Sequence, residues 1–267
     1  WEEMYNGDRA HFAIERGHVF PALGRRGLTI SAISGIDIAL WDILGQSLGV
    51  PVWQLLGGKC RDSLAAYASG GWAPADGIGE QLAGYIETGG FTAVKMRVGS
   101  ADGDALSSAR RVAAAREYLG EDIAIMADAH GTFDCAEAKR FCRLAADYNL
   151  AWLEEPVTAD DIPGCAEVRA STDIPIAAGE SIFTRFDYRD LALARAVDIF
   201  QPDLAICGGI TEAMRIAALA ASQQIRLAPH MWGGAIMFAA GLQICATAPA
   251  AFIVEYSLGH NPLMHDL

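Results

Sequence analysis

The chain has 267 residues, and 52% of them are apolar, so one large domain or two ordinary ones can bury a substantial core. The formal net charge of −13 argues against a nucleic-acid partner, because the phosphate groups would be repelled. No uninterrupted apolar run reaches the roughly 18 residues that a membrane span needs, so we expect no membrane segment.

The beginning of the chain differs in pattern from the rest. Residues 29–49 carry apolar side chains at helical spacing, and residues 49–58 follow as a turn and a short helix. We therefore predict that residues 1–63 are the C-terminal part of an N-terminal domain. Residues 64–267 are predicted to form a second domain, against which the first one packs.

From about residue 64 onward, short β-like runs alternate with segments of helical period. In residues 134–148 apolar side chains recur on one stripe, with Asp134 at the N-cap position and Glu137 at the capping-box position. Residues 104–119 repeat the apolar pattern. The eight β-like runs are residues 65–70, 91–99, 123–130, 150–156, 174–181, 197–204, 225–230 and 252–258.

Strands that alternate with helices in this way predict a parallel sheet, and such a sheet closed on itself is a (β/α)8 barrel of the α/β class. An open doubly wound sheet is the alternative. It would need a glycine-rich phosphate turn, and no GxGxxG occurs in the sequence. The eighth helix is not visible before Leu267, so we expect it to be missing.

Six cysteines occur without a CxxC pair, which disfavours a zinc knuckle. Their apolar or helical surroundings predict reduced core thiols in a cytoplasmic protein. No signal peptide is visible, and the chain begins at Trp1 inside a helix-like stretch, so we expect it to be a fragment. The six are Cys60, Cys135, Cys142, Cys165, Cys207 and Cys245.

Charged side chains stand at the end of nearly every predicted strand, where a (β/α)8 barrel carries its chemistry. The second strand ends in Lys95 and Arg97, whereas the first one has only Ser69. We interpret the set as an active site, because isolated strand-end ion pairs would not recur on consecutive strands. The remaining groups are Asp128, His130, Glu154, Glu155, Glu180, Asp203, His230 and Glu255.

One carboxylate each from the third, fourth and fifth strands can converge on one point. Side chains alternate along a strand, so Trp152 and Glu154 share one face while Glu155 takes the other. Three carboxylates in a low-dielectric mouth would repel one another, and a hard divalent cation such as Mg²⁺ removes this penalty. Glu154 is thus predicted to be a metal ligand, and Glu155 a group that positions the ligands.

Asp128, Glu154 and Glu180 are equally spaced along the chain, and Asp203 and His230 follow them. This ladder, together with the stretch SAISGIDIALWDILGQSLGVPVWQLLGG, resembles the mandelate racemase subgroup of the enolase superfamily. The resemblance covers essentially the whole chain and implies a barrel preceded by an α+β capping domain, in a homo-oligomer. It also implies that the three equally spaced carboxylates bind Mg²⁺ and that Asp203 orients His230 as the general base.

The same resemblance implies the chemistry of the site. A base removes the weakly acidic proton next to a carboxylate, and Mg²⁺ with nearby cations stabilises the resulting enolate. Lys95 resembles the group that contacts the substrate carboxylate, and Glu255 resembles an acid that hydrogen-bonds it. Trp232, close after His230, can wall the pocket or pack in the core.

Two positions depart from the racemase pattern. Racemases usually carry a lysine base where this chain has Arg97, and arginine keeps its proton at ordinary pH. Arg97 is therefore interpreted as a positive charge, as a group that orients a hydroxyl, or as an ion-pair partner of Asp128 or Glu154. His130 resembles the acid of sugar-acid dehydratases, which protonates the leaving hydroxyl, although it could merely bind a substrate hydroxyl.

These features predict an Mg²⁺-dependent hydro-lyase of carbohydrate-acid catabolism, which dehydrates an aldonate or aldarate to a 2-keto-3-deoxy acid. A cycloisomerase, epimerase or racemase of a carboxylated sugar or lactone is the alternative, and there His130→Asn would be silent. The intact set of ligands disfavours a non-catalytic binding protein. The absence of an HxH pair disfavours a zinc hydrolase.

Overall fold

The computed structural model describes residues 1–6, 26–99 and 104–266. The strands are β1 (Ala66–Ser69), β2 (Ala93–Arg97), β3 (Ala124–Asp128), β4 (Leu150–Glu154), β5 (Ile176–Ala178), β6 (Ile199–Phe200), β7 (Arg226–Leu227) and β8 (Val254–Ser257). The helices are α1 (Glu2–Asn6), α2 (Leu28–Leu48), α3 (Val52–Leu55), α4 (Ile78–Gly89), α5 (Ala105–Leu119), α6 (Cys135–Ala145), α7 (Ile162–Ala170), α8 (Thr184–Leu193), α9 (Gly209–Ser222), α10 (Ala235–Thr247) and α11 (Pro262–His265).

The sheet is a closed barrel of parallel strands. Its order is β7-β6-β5-β4-β3-β2-β1-β8, and each hydrogen-bonded pair is parallel. Leu227 in β7 forms a parallel bridge with Ala251, just before β8, which joins the two ends of the sheet. The (β/α)8 prediction is therefore confirmed and the open sheet is excluded. After β8, where no helix was expected, the chain forms the four-residue helix α11.

The strands are shorter than the apolar runs that predicted them. The run 197–204 contributes only the two residues of β6, and the run 174–181 contributes the three of β5. The remaining residues of each run continue beyond the ladder into the loops at the barrel mouth. These loops carry Glu180 and Asp203, so the apolar runs predicted where the site lies better than where the strands end.

Alternation along the strands divides the core into two layers. Alternate strand residues such as Val94, Met96 and Leu153 pack against the surrounding helices. The other set, which includes Tyr67 and Trp152, fills the barrel interior. The polar groups of the site continue this second set toward the mouth, because side chains two positions apart share a face.

The predicted helix at 134–148 is observed as α6 followed by a 3₁₀ turn. The Asp134 side chain accepts a hydrogen bond from the Glu137 N–H at 2.9 Å, which confirms the predicted N-cap. The Glu137 carboxylate does not complete a capping box, because it accepts a hydrogen bond from the Ala105 N–H at 2.9 Å instead. It thereby ties the start of α5 to α6.

Helix α2 packs against the barrel at the start of α9. Asp37 is buried and accepts hydrogen bonds from the backbone N–H and the hydroxyl of Thr211, at 2.9 and 2.6 Å. Ile36 and Leu40, two apolar side chains within the predicted helical stretch 29–49, are exposed. The domain boundary after residue 63 remains a prediction.

By length and composition, α2 is also the one described helix that could cross a membrane, and a third of its most apolar window is buried (33%). The absence of an apolar run therefore did not exclude such a helix, since Asp37 and Asp42 interrupt the run without ending the helix. The core helix of a soluble protein passes the same test.

The described cysteines are free thiols. The prediction of core thiols is correct for four of them and wrong for Cys60, which is exposed, while Cys135 is partly buried. Two further histidines, His11 and His18, lie outside the described part of the chain. The four buried thiols are Cys142, Cys165, Cys207 and Cys245.

Candidate active site

The predicted site residues lie in the described part of the chain, and the barrel brings them to the C-terminal ends of its strands. Parallel pairing places Arg97 beside Asp128 and Asp128 beside Glu154 on neighbouring strands. His230 and the remaining carboxylates reach the same end from β5 to β8. The predicted side chains therefore lie at one end of the barrel, whereas the convergence of the three carboxylates on one metal ion stays a prediction.

Lys95 is a buried cation among three carboxylates. Its Nζ lies 2.5 Å from Glu154 Oε1, 2.9 Å from Glu255 Oε1 and 3.6 Å from Asp128 Oδ2. Burial opposes the charge on Lys95, but the carboxylates of Glu154 and Glu255 outweigh it and hold the pKa of the lysine well above its usual range. Lys95 is thus positively charged at any working pH.

Glu154 is held by neutral donors as well as by the lysine. Its Oε2 accepts hydrogen bonds from Trp152 Nε1 at 3.0 Å and from Gln201 Nε2 at 2.6 Å. The Trp152 bond agrees with the predicted shared face. Burial raises the pKa of Glu154 to about 7, and the charge of Lys95 only partly offsets this rise.

Asp128 links the second and third strands. Its Oδ2 lies 2.6 Å from Nη1 of Arg97, so Arg97 makes one of the two ion pairs that we considered for it. Its Oδ1 accepts a hydrogen bond from the backbone N–H of His130 at 2.9 Å. His130 adopts a positive φ of 48°, which turns the chain toward the mouth directly after β3.

Glu180 lies between the two histidines. Its Oε1 is 3.0 Å from Nδ1 of His130, and its Oε2 is 3.4 Å from Nε2 of His230. Burial works against the charge of Glu180, but the hydrogen bond from His130 and the charge of His230 lower its pKa to about 2. The hydrogen bond with Glu180 likewise raises the pKa of His130.

A glycine lets Glu180 reach this position. Gly179 has a φ of 151°, and a Cβ there would lie 2.7 Å from the Tyr188 hydroxyl and 2.8 Å from the backbone of Gln201. Any side chain at Gly179 would therefore force β5 and the segment after β6 apart. The tight approach sets the distance between Glu180 and the groups that follow β6.

Asp203 and His230 form the predicted dyad contact. His230 Nδ1 lies 2.8 Å from Asp203 Oδ2, and Asp203 Oδ1 accepts a hydrogen bond from the Ala205 N–H at 2.7 Å. Burial opposes protonation of His230, but the negative charges of Glu255 and Glu180 and the bond to Asp203 raise its pKa to about 10. Because Asp203 holds Nδ1, the other ring nitrogen faces the pocket.

Glu155 is closer to the site than strand alternation suggested. The strand ends at Glu154, and Glu155 has a positive φ of 39° that redirects its side chain. Its Oε2 lies 3.6 Å from His130 Nδ1. Burial, followed by the negative charges of Glu180 and Asp128, raises the pKa of Glu155 to about 8.

Glu255 is anchored to the segment after β7 that carries His230. Its Oε2 accepts a hydrogen bond from the Met231 N–H at 2.8 Å, next to His230. Burial opposes the charge of Glu255, but Lys95 and His230 lower its pKa to about 2. The carboxylate therefore carries a full negative charge beside both cations.

The donor set fits a hard divalent cation. Carboxylate oxygens of Asp128 and Glu180 lie within 4.8 Å of each other, and a ring nitrogen of His130 lies within the same distance of both. The two carboxylates are the hard donors of this group. Oε2 of Glu180 is buried and accepts no hydrogen bond from the described residues, although Nε2 of His230 lies 3.4 Å from it. A buried carboxylate oxygen without a donor is costly, and Mg²⁺ prefers such oxygens. Glu154, the other predicted ligand, is paired with Lys95 at 2.5 Å, and its role as a metal ligand stays a prediction.

Gln201 was missed in the sequence. It is buried and bonds Glu154, and its position two residues before Asp203 placed it on the same face of the β6 segment. Alternation applied backward from Asp203 would have found it. A neutral amide does not stand out by charge, and charge was the signal that marked the other strand ends.

Comparison with known proteins identifies relatives along the whole chain. Residues 77–267 match the family model for the enolase C-terminal domain-like region, and residues 9–57 match that for the mandelate racemase / muconate lactonizing enzyme N-terminal domain. The chain is 39% identical over 251 residues to a D-galactarolactone cycloisomerase of Agrobacterium fabrum. It is 40% identical over 240 residues to a D-galactonate dehydratase of Ralstonia nicotianae. These alignments cover 90% and 87% of this chain but 66% and 62% of the relatives.

Solved structures share the fold. A 3,6-anhydro-D-galactonate cycloisomerase from Zobellia galactanivorans superposes with a TM-score of 0.88 at 33% identity, over 100% of this chain and 71% of that one. An enolase from Bradyrhizobium complexed with magnesium and mandelic acid superposes with a TM-score of 0.80 at 36% identity, over 88% of this chain and 63% of that one. As its sequence predicted, the chain belongs to the mandelate racemase / muconate lactonizing enzyme family of the enolase superfamily.

Proposed function

We propose that the barrel mouth removes the proton next to the carboxylate of an acid sugar and expels the neighbouring hydroxyl, giving a 2-keto-3-deoxy acid. The observation that carries the proposal is the placement of two histidines on opposite oxygens of Glu180. His230 approaches Oε2 at 3.4 Å and His130 approaches Oε1 at 3.0 Å. Dehydration needs both a base and an acid in one pocket, and these imidazoles are placed to supply them.

His230 is the base in this proposal. Asp203 holds Nδ1 of the ring at 2.8 Å, so Nε2 is the nitrogen that would accept the substrate proton. The charge of Glu180 is one of the causes that raise the pKa of His230 to about 10, so a cation held by Glu180 would lower that pKa and favour the neutral, basic form. Arg97 cannot take this role, because a guanidinium keeps its proton and Arg97 is paired with Asp128 at 2.6 Å. A single base on one face of the substrate favours elimination over racemisation.

His130 is the acid. Half of its side chain is exposed (52%), so it can meet a substrate at the mouth, and its bond to Glu180 raises its pKa and favours the protonated form. His130 would donate its proton to the hydroxyl on the β-carbon, which is the neighbour of the α-carbon that His230 deprotonates. The departing group is then water, and the electron pair of the broken C–O bond leaves with it.

Asp128 and Glu180, with Glu154 beside them, would hold Mg²⁺, and Lys95 would contact the substrate carboxylate. When bound, Mg²⁺ would supply positive charge that stabilises the enolate. A Bradyrhizobium relative is complexed with magnesium, which supports this choice of ion. The chain spans about two thirds of its relatives' length, so the test uses the full-length protein.

The test is an assay for 2-keto-3-deoxy product from a panel of mono- and diacid sugars in the presence of Mg²⁺. D-galactonate is the first acid to try, because the Ralstonia relative is a D-galactonate dehydratase. We expect product from the parent protein and none from His230→Asn. The matched control is His265→Asn, an exposed histidine on α11, which should keep full activity. Equal product from His230→Asn and His265→Asn would contradict the proposal.

A cycloisomerase is the second candidate. Two relatives support it, the D-galactarolactone cycloisomerase at 39% identity and the 3,6-anhydro-D-galactonate cycloisomerase with a TM-score of 0.88. Such a reaction shares the proton abstraction by His230 but needs no acid at a leaving hydroxyl. Conversion of a lactone that survives His130→Asn unchanged would favour this candidate.

The remaining expectations concern the setting of the protein. We expect a homo-oligomer in the cytoplasm, acting on a small carboxylate without a nucleic-acid or membrane partner. The net charge of −13 supports the expectation that nucleic acid is not a partner, because the phosphate groups would be repelled.

A further inference from the structure

Two tryptophans meet at the barrel mouth, on the side of β1, β7 and β8. The ring centroids of Trp72 and Trp232 lie 5.5 Å apart, with the planes at 86°, in an edge-to-face contact. Trp72 follows β1, and Trp232 is two residues beyond His230. Gly259, just after β8, packs against both rings, since a Cβ there would lie 2.6 Å from Trp232 and 3.1 Å from Trp72.

Trp72 is 47% exposed, although its loop is firmly held. Oε1 of Gln81 accepts hydrogen bonds from the backbone N–H groups of Trp72 and Ala73, both at 2.9 Å. The buried Arg111 donates to the carbonyls of Gly71 and Ala73, at 3.2 and 3.0 Å. An indole that stays exposed on a loop this constrained is preorganised, so a ligand that covers it loses little ordering entropy.

The tryptophan loops adjoin the groups proposed to hold the substrate carboxylate. Ser69, three residues before Trp72, pairs in register with Lys95 on one side and with Ser257 on the other. Ser257 shares the face of Glu255, which points into the barrel at Lys95. The Ser257 hydroxyl is fully buried and has no hydrogen-bond partner among the described residues.

We propose that Trp72 and Trp232 form a specificity-determining platform for the carbon chain of the acid sugar beyond its carboxylate. The indoles contact the C–H face of the sugar, and the unpartnered hydroxyl of Ser257 bonds one of its hydroxyl groups. This inference rests on the proposed function and deepens it. The two indoles would then set the preference for a polyhydroxylated acid over a short hydroxy acid.

The test compares two acids on the full-length protein with Mg²⁺, by calorimetric titration in a His230→Asn background that consumes no ligand. D-galactonate has the distal carbons, whereas glycolate has the carboxylate and α-hydroxyl alone. Trp72→Leu should weaken galactonate binding about tenfold, the scale of one good aromatic contact, and leave glycolate within about twofold. Trp72→Phe, which keeps an aromatic face, should recover most of the loss.

The matched control is Trp53→Leu, which removes a partly exposed tryptophan from α3, and it should change neither dissociation constant. Equal weakening of both acids by Trp72→Leu would overturn the platform, because the indole would then act on the site as a whole. Unchanged galactonate binding would overturn it as well.

The failure of this inference can be distinguished from the failure of the proposed function. If the parent protein dehydrates acid sugars and Trp72→Leu gives either of these results, only the platform is contradicted. If the His230→Asn protein binds neither acid and the parent has no turnover, the proposed function fails too.

Discussion

At the scale of single residues, Lys95 balances the negative charge of the site. Its Nζ contacts Glu154 at 2.5 Å and Glu255 at 2.9 Å, and all three side chains are buried. Lys95→Met would leave two buried carboxylates without their cation, which we expect to cost about 3–5 kcal/mol of the free energy of unfolding. Urea denaturation of the metal-free protein at neutral pH measures this loss.

A second lysine provides the control, because its ion pair has the same length. Lys139 Nζ lies 2.5 Å from Glu167 Oε1 on the outer surface, where the two side chains are 29% and 62% exposed. Solvent screens this pair, so Lys139→Met should cost less than about 1 kcal/mol. Similar losses for the two lysine variants would show that burial does not set the strength of the Lys95 contacts.

Residue types at strand ends predicted which side chains meet at the barrel mouth. Asp203 and His230 were expected as partners and lie 2.8 Å apart. The contacts of Glu154 could not be predicted in the same way, because they depend on which donor fits beside it in three dimensions. Gln201 takes one oxygen and Lys95 the other, and neither choice follows from spacing along the chain.

At the scale of elements, α2 caps α9 from outside. Gly208, at the N-cap position of α9, has no side chain to accept a hydrogen bond, and Asp37 accepts one from the Thr211 N–H at 2.9 Å in its place. A Cβ at Gly209 would lie 2.6 Å from the Asp37 carboxylate, so the glycine permits the approach. Asp37→Ala should therefore lower the free energy of unfolding by about 1–2 kcal/mol, the usual cost of losing a cap.

Asp42, on the same helix, is the matched control for Asp37. It is exposed and bonds Gln46 one turn later at 2.6 Å, a contact within α2. Asp42→Ala should cost no more than about 0.5 kcal/mol, as for other pairs at this spacing. Chemical denaturation measures the free energy of unfolding of both variants. An equal loss for Asp37→Ala and Asp42→Ala would contradict the capping role of Asp37.

The same helix shows a limit of periodicity. Helical spacing indicated correctly that α2 is a helix, but Ile36, Leu40 and Leu44 are exposed while Asp37 is buried. Helical periodicity shows which side chains lie on the same face of a helix. Which of these faces is buried depends on the elements that pack against the helix in the folded protein. The polar partner at Thr211 is 174 residues away in sequence and leaves no local signal.

At the scale of the whole molecule, the site makes stability depend on pH. Burial among like charges raises the pKa of Glu154 to about 7 and that of Glu155 to about 8, from an ordinary value of 4.5. A raised folded-state pKa contributes stability that is present below 4.5 and lost as the pH rises through these values. Glu180 and Glu255, lowered to about 2, contribute stability that is already complete above 4.5.

We therefore expect the melting temperature of the metal-free protein to fall between about pH 5 and about pH 8. Added Mg²⁺ should raise it more at the higher pH, because the ligands are then deprotonated and protons no longer compete with the cation. Thermal scans at both pH values, with and without Mg²⁺, measure this. Glu155→Gln should flatten the fall, and a Mg²⁺ effect that is larger at low pH would contradict the account.

The architecture was the most predictable feature. Eight apolar runs separated by helical segments predict a parallel barrel, and the family comparison and the closed sheet agree. Closure itself depends on one bridge between Leu227 and Ala251 and could not be seen in the sequence. The fold can be predicted because many local patterns along the chain agree with one another. A bridge between two residues that are distant in sequence has no such repeated pattern.

The most direct test of the central claim is α-proton exchange by His130→Asn in D₂O. The full-length protein, Mg²⁺ and D-galactonate are followed by proton NMR, which reports loss of the C2 proton and formation of keto acid in the same tube. We predict that His130→Asn exchanges the proton but forms little product, because His230 still removes the proton while the leaving hydroxyl lacks its acid. Product formation at the parent rate by His130→Asn would contradict the account.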